Sequence, residues 1–408
     1  VNATETKTFV ASFLGWTLDA FDFFLVIVVV PHIAADFKMG VAAFATAITL
    51  TLAMRPVGAL IFGWFADRYG RRVPLMVDIG LYSAIELATA FAPNFTVFLI
   101  LRAIFGIAMG GEWGLGSALA MEALPANRRG LFSGMLQQGY AVGNLLAGQA
   151  LVFLFPVIGW RGMFVVGALP ALLILFIRSN VPESEVWKAG HAERLALCGD
   201  VLLAALKRHW PLFLYGMLFM ATLNFMSHGT QDPYATFLTK QHGFSSRVTG
   251  NLTSFAALGA IAGGIFFGWL SQRFGRRNTI VVCAILGALV IPLWALSSTV
   301  AMLALGGFAM QFAVQGAWGV VPAHLNEIAP GLARGTYPGF VYQLGNLIAS
   351  GTLQIIALLA VTRFAFPGGA PNYGKAMAVV VAIAFLATII ATLTGRLITP
   401  ENRHEAFS

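Results

Sequence analysis

Apolar runs about as long as a bilayer is thick recur along this chain, and they leave little choice of fold. A helix needs about 20 mostly apolar residues to cross the hydrocarbon core. Twelve stretches reach that length: roughly 9–34, 42–66, 73–92, 95–117, 131–154, 161–181, 208–238, 249–270, 278–297, 300–324, 336–361 and 374–397. Irregular backbone cannot face lipid, so each stretch is predicted to be helical. Composition supports the reading: 58% of residues are hydrophobic and only 10% charged, against about 25% charged in a soluble domain. The chain has too little charge to coat a globule and too much apolar material to stay disordered. With Cys198 and Cys283 its only cysteines, a secreted disulfide scaffold is excluded. The 44 glycines suit close helix packing in lipid. An all-α polytopic membrane protein is the fold class that remains.

Orientation follows from lysine and arginine, which concentrate in cytoplasmic loops. With both termini cytoplasmic, the inner segments hold 17 of the 25 basic residues and the outer segments 6, leaving Arg55 and Arg102 inside spans. The net charge of +8 therefore reads as topology, and no nucleic-acid partner is expected. The first span is not a leader, since it lacks a basic start and a cleavage site and contains Asp19 and Asp22. Because Val1 is not Met, trimming of the chain is expected. The longest polar connection, 182–207, falls between spans six and seven. It is read as a cytoplasmic linker between six-helix bundles at 1–181 and 208–408.

The two halves match at one constant offset. Gly63-Trp-Phe-Ala-Asp-Arg-Tyr-Gly-Arg-Arg72 aligns with Gly268-Trp-Leu-Ser-Gln-Arg-Phe-Gly-Arg-Arg277, a shift of 205. Trp113-Gly114 aligns with Trp318-Gly319, and Glu122 to Gly130 with Glu327 to Gly335, at the same 205. Parallel six-helix repeats of this kind build transporters with a substrate site at the membrane midplane between the halves.

The stretch Gly63 to Arg72 resembles the signature loop of the major facilitator superfamily, between its second and third helices. Arg102-Ala-Ile-Phe-Gly106-Ile-Ala-Met-Gly110 is similar to that superfamily's fourth-helix motif, and the resemblance covers essentially the whole chain. It implies twelve helices in two bundles and a monomer embedded in lipid. Gly63 would let helix ends approach, while Asp67, Arg68, Arg71 and Arg72 would clamp neighbouring ends as a gating latch. Arg273, Arg276 and Arg277 repeat the pattern. Gln272 replaces the aspartate there, so that latch is expected to be weaker.

Span seven is too polar for lipid. Asn224, His228 and Gln231 lie at i, i+4 and i+7 on one helix face. Asp232 follows His228 by one turn, within pairing reach, and Pro233 is expected to break the helix. A polar stripe on a broken helix at membrane depth suggests a binding site. The run Asn224-Phe-Met-Ser-His-Gly-Thr-Gln-Asp-Pro-Tyr-Ala-Thr236 resembles the signature of the sialate:proton symporter family, most closely its lactate and pyruvate permeases. That resemblance implies that His228 and Asp232 handle substrate and proton. It also implies roles for Arg55 in helix two and for Gln343 and Asn346 in helix eleven. The segment 182–207 is too short and polar for the extra central helices of sialate carriers, which favours a small carboxylate.

Other intramembrane polar residues remain to be placed. Asp19 and Asp22, at i and i+3, suit proton coupling, because a carboxylate in a bilayer tends to take up a proton. In sugar:proton symporters of the superfamily a first-helix Asp works with a fourth-helix Arg, and Arg102 sits where that Arg would. An anionic substrate needs a cation, and a guanidinium can hold a carboxylate by two parallel bonds. The candidates are Arg55 and Arg102, with an Arg55–Glu86 ion pair as the purely structural alternative. Gln137, Gln138 and Tyr140 on span five are expected to line the cavity. Glu112 reads as a packing or gating charge.

Transport is thus the expected function: proton-coupled symport of L-lactate, pyruvate or a similar acid across what the lean loops suggest is a bacterial inner membrane. Sialic acid or another organic acid is the alternative substrate. A transporter-derived sensor is a second class, disfavoured by the short tail from Ile398 to Ser408. Nothing suggests an enzyme, a cofactor or a metal site: there is no His/Cys cluster, nucleotide loop or nucleophile elbow.

Overall fold

The computed structural model describes residues 2–189 and 201–398. Val1, Cys198, the middle of the 182–207 connection and the tail beyond Ile398 lie outside the described residues. Everything regular among the described residues is helical. The first four spans are single helices: α1 (Ala3–Asp36), α2 (Val41–Tyr69), α3 (Arg72–Ala90) and α4 (Phe95–Ala123). Span five is divided at Gln138 into α5 (Arg129–Gln137) and α6 (Gly139–Phe153). Span six is a pair, α7 (Phe155–Val166) and α8 (Ala171–Asn180), bent by 42°. A short helix, α9 (Glu185–Ala189), begins the connection.

The second half follows the same plan with α10 (Val201–Gln231), α11 (Ser246–Phe274), α12 (Arg276–Ala295), α13 (Val300–Ile328), α14 (Tyr337–Ala349), α15 (Thr352–Thr362) and α16 (Tyr373–Ile398). Among the described residues, ten spans are long and apolar enough to cross a membrane, or eleven with the bent pair. The expected fifth span is the one outside that set; it is helical but rich in glycine and glutamine. Asn94, part of an Asn-Phe-Thr triplet, caps α4 by accepting from Val97 N–H at 3.0 Å.

Helices α2 and α4 cross closely, as do α11 and α13. The reason is visible in the repeat. Gly58 lies directly against the carbonyl of Ile107, and Gly263 against the carbonyl of Phe312. Both pairs differ by the 205-residue offset. A Cβ at either glycine would collide with backbone, which cannot retreat as a flexible side chain can. Small residues drive such packing because lipid offers no hydrophobic force between helices.

The halves meet through α5 against α11 and α13, and through α14 against α2 and α4. Helix α10 packs on α14 and α16. As expected, α10 stops before Pro233, and the chain continues through a turn at Tyr234–Thr236 and a wider π-helical turn at Phe237–Gln241.

Gly58→Leu is expected to lose the folded, monodisperse protein seen for the parent in detergent. Overpacking alone costs about 1–3 kcal/mol, and here the obstacle is backbone. Size-exclusion chromatography with a thermal-unfolding readout checks this; a Gly58→Leu protein as stable as the parent would show that the crossing can open.

Candidate substrate cavity and cytoplasmic latch

Two adjoining cavities lie between the halves. The inner one, about 100 Å³, is lined by Arg55, Tyr140, Asn224, His228, Asp232 and Asn346 among others. The second, about 330 Å³, shares Gln137, Tyr140, Gln231, Asp232 and Gln315 with it and extends to Trp294 and Gly307. Those last residues lie toward the end that the arginine distribution places outside. Gln138 lines the wider cavity as well, so the three polar residues expected of span five all face the cavity system.

The α10 stripe forms one wall. His228 Nδ1 lies 2.9 Å from Asp232 Oδ2, and Nε2 lies 2.8 Å from Asn346 Oδ1. Both ring nitrogens thus face acceptor oxygens, which matches an imidazolium donating twice. Gln231 donates to Ser227 at 3.2 Å and to Gln311 at 3.1 Å. Asn224 donates to Met220 C=O at 2.8 Å. Gln343 is buried, and neither end of its amide has a partner. It lies outside the residues that line the cavities. The base of the inner cavity is aromatic. Trp113 and Trp318, mates at the 205 offset, both pack on Tyr342, with ring centroids 4.6 and 5.7 Å away. Tyr140 stacks on Trp16 at 5.6 Å. The two tryptophans were visible in sequence as repeat markers, but their place in the site was not; Gln311, Gln315 and Tyr342 gave no signal.

The two intramembrane arginines separate clearly. Arg55 lines the inner cavity, its Nη2 3.7 Å from Asp19 Oδ2 and its guanidinium 5.7 Å from the Phe23 ring. Neither Nε nor Nη2 has a hydrogen-bond partner. Arg102 is sealed in the first half. It donates to Glu86 at 2.9 Å and Thr89 at 2.8 Å, and Phe105 lies over it at 4.4 Å. This removes one alternative and corrects one expectation. The Arg55–Glu86 pair does not form, because Glu86 belongs to Arg102. Nor is Arg102 ion-paired with Asp19 or Asp22; Asp19 faces Arg55, and Asp22 is fully buried without a hydrogen bond.

Below the cavity the halves are bonded together. Asp67 accepts from Gly335 N–H at 2.7 Å, from Thr336 N–H at 3.0 Å and from the Thr336 hydroxyl at 2.7 Å. Arg71 anchors it at 3.0 Å and also binds Glu122 at 3.0 Å. Gly63 lies against Thr336, leaving no room for a Cβ. Trp187 of α9 donates to Asp67 C=O at 3.0 Å.

The second half repeats the arrangement with weaker chemistry. Gln272 accepts from Gly130 N–H at 2.9 Å, the offset mate of Gly335, and donates to Ala126 C=O at 2.8 Å. Arg276 binds Glu327 at 2.7 Å, mirroring Arg71 and Glu122. Not every arginine of the motif joins in. Arg68 and Arg273 are exposed and lie over Trp64 at 5.8 Å and Trp269 at 5.2 Å. Arg72 donates to Arg178 C=O, and Arg277 is buried beside Tyr215. Of the residues expected in the clamp, Asp67, Arg71 and Arg276 make the bonds described above. Ser133 to Ala323 N–H at 3.0 Å and Ser117 to Asn326 at 3.3 Å add further bonds on this side. The two halves are thus fastened to each other on the cytoplasmic side of the cavities.

Comparison with known proteins decides the family. The Major Facilitator Superfamily profile matches residues 12–227. The chain belongs to the major facilitator superfamily. A second profile, Sugar (and other) transporter, matches residues 202–401. A carboxylic acid transporter protein homolog of Saccharomyces cerevisiae is 29% identical over 95% of this chain and 67% of its own length. A sialic acid transporter of Escherichia coli is 30% identical over 85% of each chain. Among solved structures, a proton:xylose symporter superposes with a TM-score of 0.71 at 20% identity, covering 97% of this chain and 96% of its own; it shows the same fold. The protein is accordingly a multi-pass secondary transporter and not an enzyme.

Asp67→Ala is expected to shift the resting population toward an inward-open form. Hydrogen bonds to a charged group contribute about 1.5–3 kcal/mol, so a shift of about tenfold or more follows. A cysteine at Ala323, in a background where Ser replaces Cys198 and Cys283, should react faster with a thiol reagent applied from the cytoplasmic side. Gln272→Ala should do less, since a neutral amide is lost. Equal labelling rates in Asp67→Ala and its parent would remove Asp67 from the latch.

Proposed function

We propose that this transporter is a proton-coupled symporter of a short monocarboxylate such as L-lactate or pyruvate. It works by alternating access between bundles 1–181 and 208–408, joined by the 182–207 connection, and acts as a monomer. One observation carries the reading: Arg55, two of whose guanidinium nitrogens make no hydrogen bond, shares a cavity of about 100 Å³ with the His228–Asp232 pair. A guanidinium presents the fork that a carboxylate needs. The volume is well under the ~300–1,000 Å³ of sites for drug-sized ligands, which suits a small acid. The similarity to a carboxylic acid transporter homolog supports the same class.

Coupling is assigned to Asp19, Asp22 and the His228–Asp232 pair. A substrate carboxylate on Arg55 competes with Asp19 for the same cation, so substrate binding favours protonation of Asp19. Protonating Asp232 changes the charge of the α10 pair and biases which side is open, since a carrier responds to any ligand that prefers one state. A second reading, sialic acid or another larger organic acid, has its own support. The wider cavity of about 330 Å³ is lined by Gln137, Gln138, Gln231, Gln311 and Gln315, whose amides can bond hydroxyl groups. The 30% identity to a sialic acid transporter points the same way.

Proteoliposomes that are acidic outside and sodium-free should accumulate labelled lactate and pyruvate, and acetate or sialic acid less. Uptake that needs sodium and ignores the pH gradient would refute symport with protons. Preference for sialic acid would select the second reading.

Arg55→Ala should abolish saturable binding, and Arg55→Lys should restore it only partly, because the charge returns without the fork. Losing a charge-assisted bond costs about 1.5–3 kcal/mol, or roughly tenfold to 150-fold in affinity by calorimetry. Unchanged affinity in Arg55→Ala would leave the anchor unassigned.

Asp232→Asn should still exchange substrate across the membrane yet fail to concentrate it. The amide keeps the shape but cannot titrate. Concentration equal to the parent's would make Asp232 structural; Asp22→Asn showing the defect instead would move the proton site to α1.

A further inference from the structure

Helix α3 carries Asp78, and α4 carries Glu112 against it. Both side chains are fully buried. None of their four carboxyl oxygens receives a hydrogen bond from an N–H or O–H donor among the described residues. Their hydrogen-bonding contact is with each other. An ionised carboxylate only accepts, so that contact is a hydrogen bond only when one of the two acids holds a proton. Two like charges side by side in a dry interior also cannot both ionise.

The surroundings supply no cation to relieve the pair. Arg102, also on α4, is committed to Glu86 and Thr89. Arg55 on α2 faces Asp19. The other groups facing the pair are an acid and a phenol, Asp19 on α1 and Tyr82 on α3. Helices α7 and α8, which also pack on α3, carry Arg161 in the middle of α7 and Arg178 in the last turn of α8. Arg161 is held by Asp36 and the carbonyls of Ala90 and Ala92.

Two further observations mark a built site. The Tyr82 hydroxyl, one turn from Asp78, is buried and unpartnered, with Glu112, Asp22, Asp19 and Asp78 as its electrostatic neighbours. It is a donor placed among acceptors. The backbone also makes room for the acids. A Cβ at Gly15 would collide with Glu112 Oε1, and one at Gly111 would lie 3.0 Å from Asp78 Oδ1. Position 15 is one turn from Asp19 on α1, so the pair sits beside the acid that faces Arg55.

We propose that Asp78 and Glu112 form a proton-binding site of the first half, linked to the substrate cavity through Asp19 and Arg55. At rest the two carboxyls share one proton and carry a net charge of −1. When Arg55 turns to a substrate carboxylate, Asp19 loses its cation and negative charge accumulates beside the pair. One proton from solution then joins it, giving two neutral carboxyls. The role in coupling rests on the symport reading above; the proton site itself rests on the buried pair.

Infrared difference spectroscopy on the purified full-length protein tests the site without transport, by reading the C=O stretch of protonated carboxyls. The parent should show such a band at neutral pH and gain intensity on adding L-lactate. Asp78→Asn and Glu112→Gln should each lose the resting component, while Asp232→Asn keeps it. A resting band unchanged in both Asp78→Asn and Glu112→Gln overturns the proposal. Should those variants fail to fold, Gly15→Ala keeps every titratable group and only displaces Glu112. It should move the band and shift the proton concentration for half-maximal lactate uptake by about tenfold, one pH unit. An unmoved band and an unchanged pH profile in Gly15→Ala overturn the proposal equally. If the bands behave as expected but the parent ignores a pH gradient, the proton site stands and symport fails.

Discussion

A charged side chain taken out of water loses hydration worth several kcal/mol unless a partner or a proton replaces it. Apart from the cytoplasmic latch around Asp67, Arg71 and Arg129, the first half buries seven such groups among the described residues, Asp19, Asp22, Arg55, Asp78, Glu86, Arg102 and Glu112, all nearly inaccessible to solvent. Five acids against two arginines cannot all be ionised together. Much of the arrangement follows from that mismatch. Arg102 is spent on Glu86 inside the bundle, so Arg55 is the cation left at the cavity wall. Asp19 competes for it, and the remaining acids are left to protons. The second half has no mid-span Lys or Arg and places the hydrogen-bonded His228–Asp232 pair on its cavity wall. The two halves are alike in backbone and unlike in charge.

Alternating access needs two halves that can separate on either side, and on the cytoplasmic side they are held by polar bonds beside glycine contacts such as Gly130 on Gly268 and Gly134 on Gly264. On the cytoplasmic side Asp67 is shared between its own Arg71 and the start of α14, whose backbone N–H groups and Thr336 hydroxyl point at it. Its counterpart Gln272 reaches the start of α5 in the same geometry without a charge. One strong and one weak fastening at related positions make a closure that is asymmetric in its sensitivity. Within each half the close crossings at Gly58 and Gly263 are glycine against backbone, contacts with no titratable group in them. Rigid bundles joined by breakable hydrogen bonds are what a rocking carrier requires.

Fold class and helix direction were legible in the sequence because bilayer thickness and the Lys/Arg bias act on local segments. The repeat at 205 residues was equally legible, and the pairs Trp113/Trp318, Asp67/Gln272, Arg71/Arg276 and Glu122/Glu327 make corresponding contacts in three dimensions, whereas Arg72 and Arg277 do not. His228 and Asp232 could be paired in advance, since helical spacing alone puts i and i+4 together. What tertiary structure alone decided was which distant charges meet. Nothing in one dimension says that Glu86 goes to Arg102 and Asp19 to Arg55, because partners on different helices are chosen by helix rotation and crossing depth. For the same reason Asp78 gave no functional signal until α3 and α4 were packed and Glu112 was found against it. Arg68 and Arg273 make the converse case: their motif promised a clamp, yet on the assembled helices they point outward over Trp64 and Trp269, where the charge stays hydrated and the ring supplies the contact.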